Sequence, residues 1–296
     1  MFVSDLLAIL ASVSLALAGM LVGELSGRVD VIRFARWNML AALAMTGLGS
    51  AILGGWRTLH PASFGLLAGS SLFGIILAST TYFAAIYTAG PRTTALLFSL
   101  TAPFALALGY LVLGETIGLR QGIGVAVVLA GILLAVGRKP DAKRETPSAK
   151  AARPWLGIAL GVITALGQAI GTLLARPAMA TGIDPFTAMA VRAGVAALFY
   201  IVVGYLPIRF VNRPYAFSWR DFRIGIAASF FGTGLGMSLV MAALAHGNVG
   251  IVSTLSSMTP VVILPMVWIR SGRSPGRGAW MGAALAVAGT ALISID

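Results

Sequence analysis

Long apolar stretches recur along the chain and are separated by short polar gaps. A hydrocarbon core about 30 Å thick is crossed by roughly 20 apolar residues in a helix. By that measure the chain contains ten candidate membrane-spanning helices, at residues 4–23, 31–54, 62–88, 93–113, 122–136, 155–174, 185–206, 224–245, 249–269 and 279–295. The third stretch is long and the fifth is short, which predicts a tilt or a broken end at these places. The pattern predicts an all-α membrane protein with ten transmembrane helices.

A polar segment divides these helices into two groups of five. Residues 138–154 are rich in Lys, Arg, Pro and Ala, a composition typical of a solvated linker. We therefore expect a first five-helix repeat at 1–137, a basic linker at 138–154 and a second five-helix repeat at 155–296.

The two halves carry matching residues at offsets of 155 to 158 positions. The matches include Ser99-Leu100-Thr101-Ala102-Pro103 with Ser257-Met258-Thr259-Pro260, Gly124 with Gly282, Gly131 with Gly289, and Arg36 with Arg192. Because five is odd, the second repeat enters the membrane from the opposite face, so the repeats are inverted. Inverted repeats around a central cavity are a common plan of secondary transporters, which bind substrate near the midplane. A duplicated channel is the alternative.

Composition and charge support a membrane protein and predict its orientation. The chain is 58% hydrophobic and 10% charged, whereas a soluble domain is about 25% charged; this excludes a water-soluble enzyme. Of the 21 Lys and Arg residues, 17 lie in or beside the gaps after odd-numbered spans and 3 in those after even-numbered spans. The positive-inside rule then places both termini outside the cytoplasm. The net charge of +12 is explained by this topology, so no nucleic-acid partner is expected.

The distribution of acids and metal-ligating residues restricts the chemistry. With no Cys and only two His, we expect no disulfide, no metal site, no catalytic residues and no cofactor. All nine Asp and Glu residues lie near predicted span ends or in gaps. Proton-coupled antiporters usually use a carboxylate embedded in the membrane. The sequence therefore predicts facilitative transport rather than carboxylate-based proton antiport.

Polar and aromatic residues inside the spans are candidates for binding substrate. They are Tyr82, Phe98, Ser99, Thr101, Gln168, Thr172, Met237, Ser238, Ser256 and Ser257. An amide is costly to expose to lipid, so Gln168 is expected to face the bundle interior. Any single Ser or Thr is weaker evidence, because its hydroxyl can bond to a carbonyl one turn back. As a group, they predict a cavity with hydroxyl, amide and aromatic walls.

A second set of residues is predicted to act in gating or in attracting charge. Pro103 and Pro260 lie inside spans four and nine at matching positions, and each removes a backbone donor. Gly90-Pro91 and Gly247 occupy the tight turns before those spans. Structural kinks and ordinary turns are the alternative for these residues. Arg192 lies inside span seven and is a candidate for attracting a substrate carboxylate.

The order and spacing of several short motifs resemble those of the drug/metabolite transporter superfamily, specifically its EamA-domain ten-helix exporters. The motifs are Leu100-Thr101-Ala102-Pro103, Leu111-Val112-Leu113-Gly114-Glu115 and Ala130-Gly131, with Met258-Thr259-Pro260 and Ala288-Gly289 in the second half. The resemblance implies two inverted repeats around a cavity lined largely by spans three, four, eight and nine. The chain departs from this pattern after span nine, where Arg270-Ser271-Gly272-Arg273 stands in place of a second Leu-Gly-Glu motif.

Within this superfamily, the uncharged aromatic cavity is most similar to that of YddG-type aromatic amino-acid exporters. The resemblance implies a secondary transporter of the bacterial inner membrane that exports amino acids, aromatic ones preferred, or related metabolites by alternating access. The expected partners are a small-molecule substrate and membrane lipid. The sequence does not define the oligomeric state, and it is compatible with a monomer. The alternatives are an exporter of drugs or cationic compounds and a membrane protein without transport activity.

Overall fold

The backbone is helical almost throughout the part of the chain that the computed structural model describes, residues 2–25, 28–29, 31–89, 94, 97–137, 154–205, 218–271 and 276–294. The first half contains α1 (Phe2–Leu25), α2 (Val31–Leu53), a 3₁₀ turn (Gly55–Thr58), α3 (Pro61–Ser71), α4 (Ala78–Ala89), α5 (Thr101–Leu113) and α6 (Leu119–Gly137). The second half contains α7 (Pro154–Ala180), α8 (Pro185–Tyr205), α9 (Trp219–Ser229), α10 (Met237–Leu244), α11 (Val249–Ser256), α12 (Thr259–Ser271) and α13 (Arg277–Ser294).

Several helix ends follow local sequence signals. Pro61 and Pro185 begin α3 and α8, where the missing backbone donor has no intrahelical partner to lose. The Asp184 carboxylate accepts the Thr187 backbone N–H at 2.8 Å and so caps α8. At the C-terminal end of α5, Gly114 has a φ of 64°, a left-handed conformation that favours glycine.

Two π-helical segments occupy matching places in the two halves. Leu72–Leu77 joins α3 to α4, and Phe230–Gly236 joins α9 to α10. Each therefore lies inside a long apolar stretch, the third and eighth spans predicted from the sequence. The third span has no broken end within its described part; its extra length is accommodated in a continuous helix with one π segment.

Six helical stretches of the described residues are long and apolar enough to cross a membrane. They are Phe2–Val22, Pro61–Tyr82, Trp155–Ala180, Pro185–Tyr205, Trp219–Leu244 and Val249–Met266. Three shorter apolar helices accompany them, at Thr101–Leu113, Leu119–Leu134 and Arg277–Ile293. Large apolar side chains such as Ile52 and Leu119 lie on the surface, as on a lipid-facing protein.

Several helix–helix contacts of one half have an equivalent in the other half. The pairs α6–α13 and α2–α8 each join a helix to its own counterpart, and α5 of the fourth span contacts α11 of the ninth. Helix α1 packs along α9, α10 and the π segment between them, as α7 packs along α3, α4 and theirs. The halves are thus interlocked, with each half contacting the other along most of its helices.

The α6–α13 crossing shows this reciprocity at single residues. A Cβ added to Gly131 would lie 2.5 Å from the Ala286 nitrogen, and one added to Gly289 would lie 2.7 Å from the Val128 nitrogen. These two contacts are related by the same 158-residue offset that matches the halves in sequence. Glycine allows the two backbones to touch here, as in other closely packed membrane helices.

Candidate functional site

The fourth and ninth spans are broken at matching positions. Leu97 and Phe98 are helical, Ser99 and Leu100 form a turn, and α5 begins at Thr101. In the second half α11 ends at Ser256, and α12 begins at Thr259. Breaks of this kind leave backbone groups available within the bundle.

The two prolines of these spans lie just after the breaks. Pro103 and Pro260 lie inside the fourth and ninth spans, where they occupy the first turn of α5 and of α12. A proline is tolerated in a first turn because the backbone N–H it lacks would have no intrahelical partner there. The prolines therefore fit the restart of each helix instead of kinking its interior.

An aromatic pair flanks the break in the fourth span. The rings of Tyr82 on α4 and Phe98 meet edge to face, with centroids 5.6 Å apart and planes at 70°. The Phe98 carbonyl accepts the Thr101 hydroxyl at 2.6 Å. Two of the predicted cavity residues are thus in contact, and a third supports the turn that positions one of them.

The predicted hydroxyl groups divide into two kinds. Those of Thr172 and Ser238 donate to carbonyls of their own helix, Thr172 to Ala169 at 2.9 Å and Ser238 to Gly234 at 2.6 Å. By contrast, the Ser256 hydroxyl is buried without a hydrogen-bond partner among the described residues. Its neighbour Ser257 is also buried, at the end of α11.

A second buried hydroxyl without a partner in the described chain belongs to Ser253, one turn before Ser257. The candidate set omitted Ser253, although it is part of the same serine-rich run. A buried polar group that lacks a partner in the protein is free to bond to a ligand or to water. The α11 serines are consequently better binding candidates than Thr101, Thr172 or Ser238.

The remaining candidates are less strongly placed. Gln168 and Met237 are half-buried, and Met237 packs against the main core. Ser99 is buried in the turn before α5. Gly247 is tightly packed, since an added Cβ would meet the side chains of Ser4 and Val252. The predicted hinge Gly90-Pro91 lies outside the described residues.

Arg192 is the largest side chain that is completely buried in the described structure. Its Nη1 lies 3.5 Å from the sulfur atoms of Met189 and Met241. Its Nε and Nη2 have no hydrogen-bond partner among the described residues. A buried guanidinium without an acid is costly in a low-dielectric interior, which makes this position unusual.

Arg192 lies at the place where the first π segment meets α7. A Cβ added to Gly74 would be 3.0 Å from Arg192 Nη2 and 3.0 Å from the Cα atom of Gly171. The Ser71 hydroxyl donates to the Arg192 carbonyl at 2.6 Å, and the Ser70 hydroxyl to the Gly171 carbonyl at 2.5 Å. Because π segments often occur at functional sites, this contact between the halves is a candidate moving part.

Two clefts are lined by residues outside the candidate set. One, of about 400 Å³, lies between α5 and α11 and is lined by Tyr110, Glu115 and Asn248 among others. The other, of about 330 Å³, lies along the first π segment beside Phe199. In the described chain no group of three or more His, Cys, Asp or Glu residues is placed to hold a metal ion.

Long apolar helices, reciprocal packing of two halves and broken spans define a multi-pass membrane protein built from two repeats. The model of the EamA-like transporter family matches residues 2–137 and 155–295. The chain belongs to this family, within the drug/metabolite transporter superfamily. It is therefore a membrane transporter of small substrates and not an enzyme.

The fold is shared with a protein of known crystal structure that is 17% identical in sequence. The similarity covers 98% of this chain and 95% of the other, with a TM-score of 0.78. No curated protein matches the sequence.

Proposed function

We propose that the protein exports amino acids, aromatic ones preferred, by alternating access between two inverted five-helix repeats. The proposal includes ten membrane spans and a bacterial inner-membrane location, with both termini outside the cytoplasm. The reciprocal contacts of the halves and the matching breaks support the repeat arrangement. The 17-to-3 distribution of basic residues between alternate gaps supports the orientation.

The observation that carries the substrate class is the sign of the charge buried in the spans. Arg192 is completely buried, and its Nε and Nη2 atoms have no partner in the described chain. The acids in the described chain lie in connections or within four residues of a helix end: Asp5, Glu24, Glu115, Asp184 and Asp221. A guanidinium in a low-dielectric interior attracts a carboxylate and repels a cation. This favours an amino acid over a cationic drug.

The groups around the two breaks suit the remainder of an amino acid. The hydroxyls of Ser253 and Ser256, which have no partner in the described chain, are available as hydrogen-bond partners for polar groups of the substrate. The Tyr82–Phe98 pair offers an aromatic surface to an aromatic side chain. In the described conformation the glycine contact at Gly74 covers the guanidinium, so we propose that carboxylate binding requires α7 to separate from the first π segment.

The test is counterflow in proteoliposomes with labelled Phe, Trp and Thr and, separately, a cationic dye. We expect saturable exchange of the amino acids, faster for Phe and Trp than for Thr, without movement of the dye. Dye movement without amino-acid exchange would refute the substrate assignment.

The energy coupling is tested in the same vesicles. Because no carboxylate is proposed to carry a proton at the midplane, exchange should proceed at equal internal and external pH. An absolute requirement for a pH gradient would refute facilitative transport while leaving the substrate assignment intact.

A further inference from the structure

A charged contact joins the two halves at the end of the bundle where α5 ends and α11 begins. Glu115 follows α5, and its Oε2 atom accepts the backbone N–H of Val249, the first residue of α11, at 2.8 Å. Its Oε1 atom lies 3.6 Å from Arg176 Nε near the end of α7. One carboxylate of the first half therefore contacts two helices of the second half.

Two further contacts at this end involve the turn between α10 and α11. Arg176 Nη1 donates to the Ala245 carbonyl at 3.5 Å, and Asn248 Nδ2 donates to the Thr116 carbonyl at 3.3 Å. The side chains of Glu115 and Arg176 are only 14% and 21% exposed. At such partial burial, charge-assisted hydrogen bonds are stronger than at the open surface.

The same end is closed by direct packing one residue further along α11. A Cβ added to Gly250 would be 2.6 Å from Leu106 Cγ and 3.0 Å from Leu106 Cα. The 400 Å³ cleft lies beside this contact and is lined by Glu115, Thr116 and Gly250. Separation of α5 from α11 would break the Glu115 contacts and widen the cleft together.

The chain does not repeat this carboxylate at the other end. An offset of 157 residues, that of Pro103 and Pro260, carries Glu115 onto Gly272, which is flanked by Arg270 and Arg273. The two ends of the bundle therefore differ. At one end an acid contacts Arg176 and the Val249 N–H, and at the matching sequence position there is no acid.

We propose that Glu115 is a positioning residue that holds the α5–α11 end of the transport path closed, through Val249 and Arg176. This inference rests on alternating access as the proposed function, and it assigns the gate of that cycle to one end. Neutralising Glu115 should open this end selectively and leave the opposite end as it is.

The absence of cysteine provides a direct test, because an introduced thiol is the only one present. The reporter is Ser253→Cys, at a position one helical turn after Val249 in α11. The native Ser253 is 4% exposed. Its labelling by a membrane-impermeant thiol reagent is measured from each face of the membrane, in right-side-out and in inside-out vesicles. The matched variants are the reporter alone and the reporter with Glu115→Gln.

We expect Glu115→Gln to raise the labelling rate by about tenfold from one face only, because it removes the ion pair with Arg176 and replaces a charged acceptor of the Val249 N–H by a neutral one. Arg176→Gln should give a similar increase, and the double variant should give no more than the larger single effect, because the two residues act in one contact. The control is Asp184→Asn, which changes an acid that caps α8 at the same end and lies outside the Glu115 contacts. It should leave the rate unchanged.

Unchanged labelling in Glu115→Gln would overturn the proposal. So would an equal increase from both faces, or a similar increase in Asp184→Asn, because either would indicate general loosening. The assay needs no substrate. If the wild-type protein showed no counterflow while the one-sided increase in labelling was observed, the proposed transport activity would be refuted. The proposal that Glu115 holds this end closed would still be supported.

Discussion

Replacing Arg192 by Met separates the stability of the protein from its transport activity. The guanidinium is fully buried between the sulfur atoms of Met189 and Met241, so a methionine of similar volume enters a matching environment. The hydrogen bond from Ser71 is made to the Arg192 backbone carbonyl and is therefore retained. Arg192→Met removes the charge, the contacts of Nη1 with the two sulfur atoms, and the Nε and Nη2 groups that lack a partner in the described chain.

The magnitude follows from those groups. Replacement of a buried ion pair by apolar side chains of similar volume is often neutral or stabilises proteins by about 1–4 kcal/mol, and a single buried charge has no opposite charge to offset its desolvation. Each buried donor without a partner contributes a penalty of about 1–3 kcal/mol, and among the described residues neither Nε nor Nη2 of Arg192 has a partner. We therefore expect the free energy of unfolding to rise by about 1–4 kcal/mol, while amino-acid counterflow is lost.

The assay is thermal unfolding of the detergent-solubilised protein, alongside counterflow of labelled Phe. The matched control is Arg36→Met, at the corresponding position of the first half, where the side chain is half-buried and no gain in stability is expected. An unchanged or lower unfolding temperature in Arg192→Met would show that the guanidinium is stabilised in place. Full counterflow in that variant would refute carboxylate binding by Arg192.

Two further predictions concern the crossing of the halves and the aromatic pair. Gly131→Ala should lower the free energy of unfolding by about 1–3 kcal/mol, because its Cβ would lie 2.5 Å from the Ala286 nitrogen. Gly65→Ala has open space around its Cβ and should be neutral, so equal unfolding temperatures for the two variants would contradict the crossing. Tyr82→Leu removes the ring that packs on Phe98 and should reduce the ratio of Phe to Thr counterflow about two- to tenfold. An unchanged ratio would exclude the pair from aromatic selectivity.

The helices were predictable where hydropathy and proline act locally. The described stretches at Pro61–Tyr82 and Pro185–Tyr205 follow the apolar runs and begin at prolines that the sequence displays. The π segments were not predictable, because a π segment differs from an α-helix by a shift in backbone pairing and no residue type in Leu72–Leu77 marks it. Only the third span's unusual length indicated an irregularity there.

The candidate site was predictable in composition but less so in detail. The sequence places Ser238 and Ser256 equally well inside spans, and only the fold shows that the first hydroxyl bonds to Gly234 while the second has no partner in the described chain. The contact of Glu115 with Arg176 joins residues from different halves. No local pattern could predict it, since it depends on how α5 and α7 approach one another.

The unequal ends of the bundle constrain what a gate at Glu115 can do. The central contacts, such as Gly131 and Gly289 at the α6–α13 crossing, are reciprocal, so exchanging the roles of the two halves leaves them with the same energy. A difference in energy between the two open states must then come from contacts that are not reciprocal. They include those of Glu115, which has no acidic counterpart, and those of the buried Arg192, since the matching Arg36 is half-buried. Such a difference alters which state is populated at rest and how fast each end opens. It cannot set the net direction of a facilitative transporter, because that direction depends only on the substrate gradient. Glu115→Gln should therefore change the rate of exchange and the one-sided labelling, but leave the final distribution of substrate across the membrane unchanged.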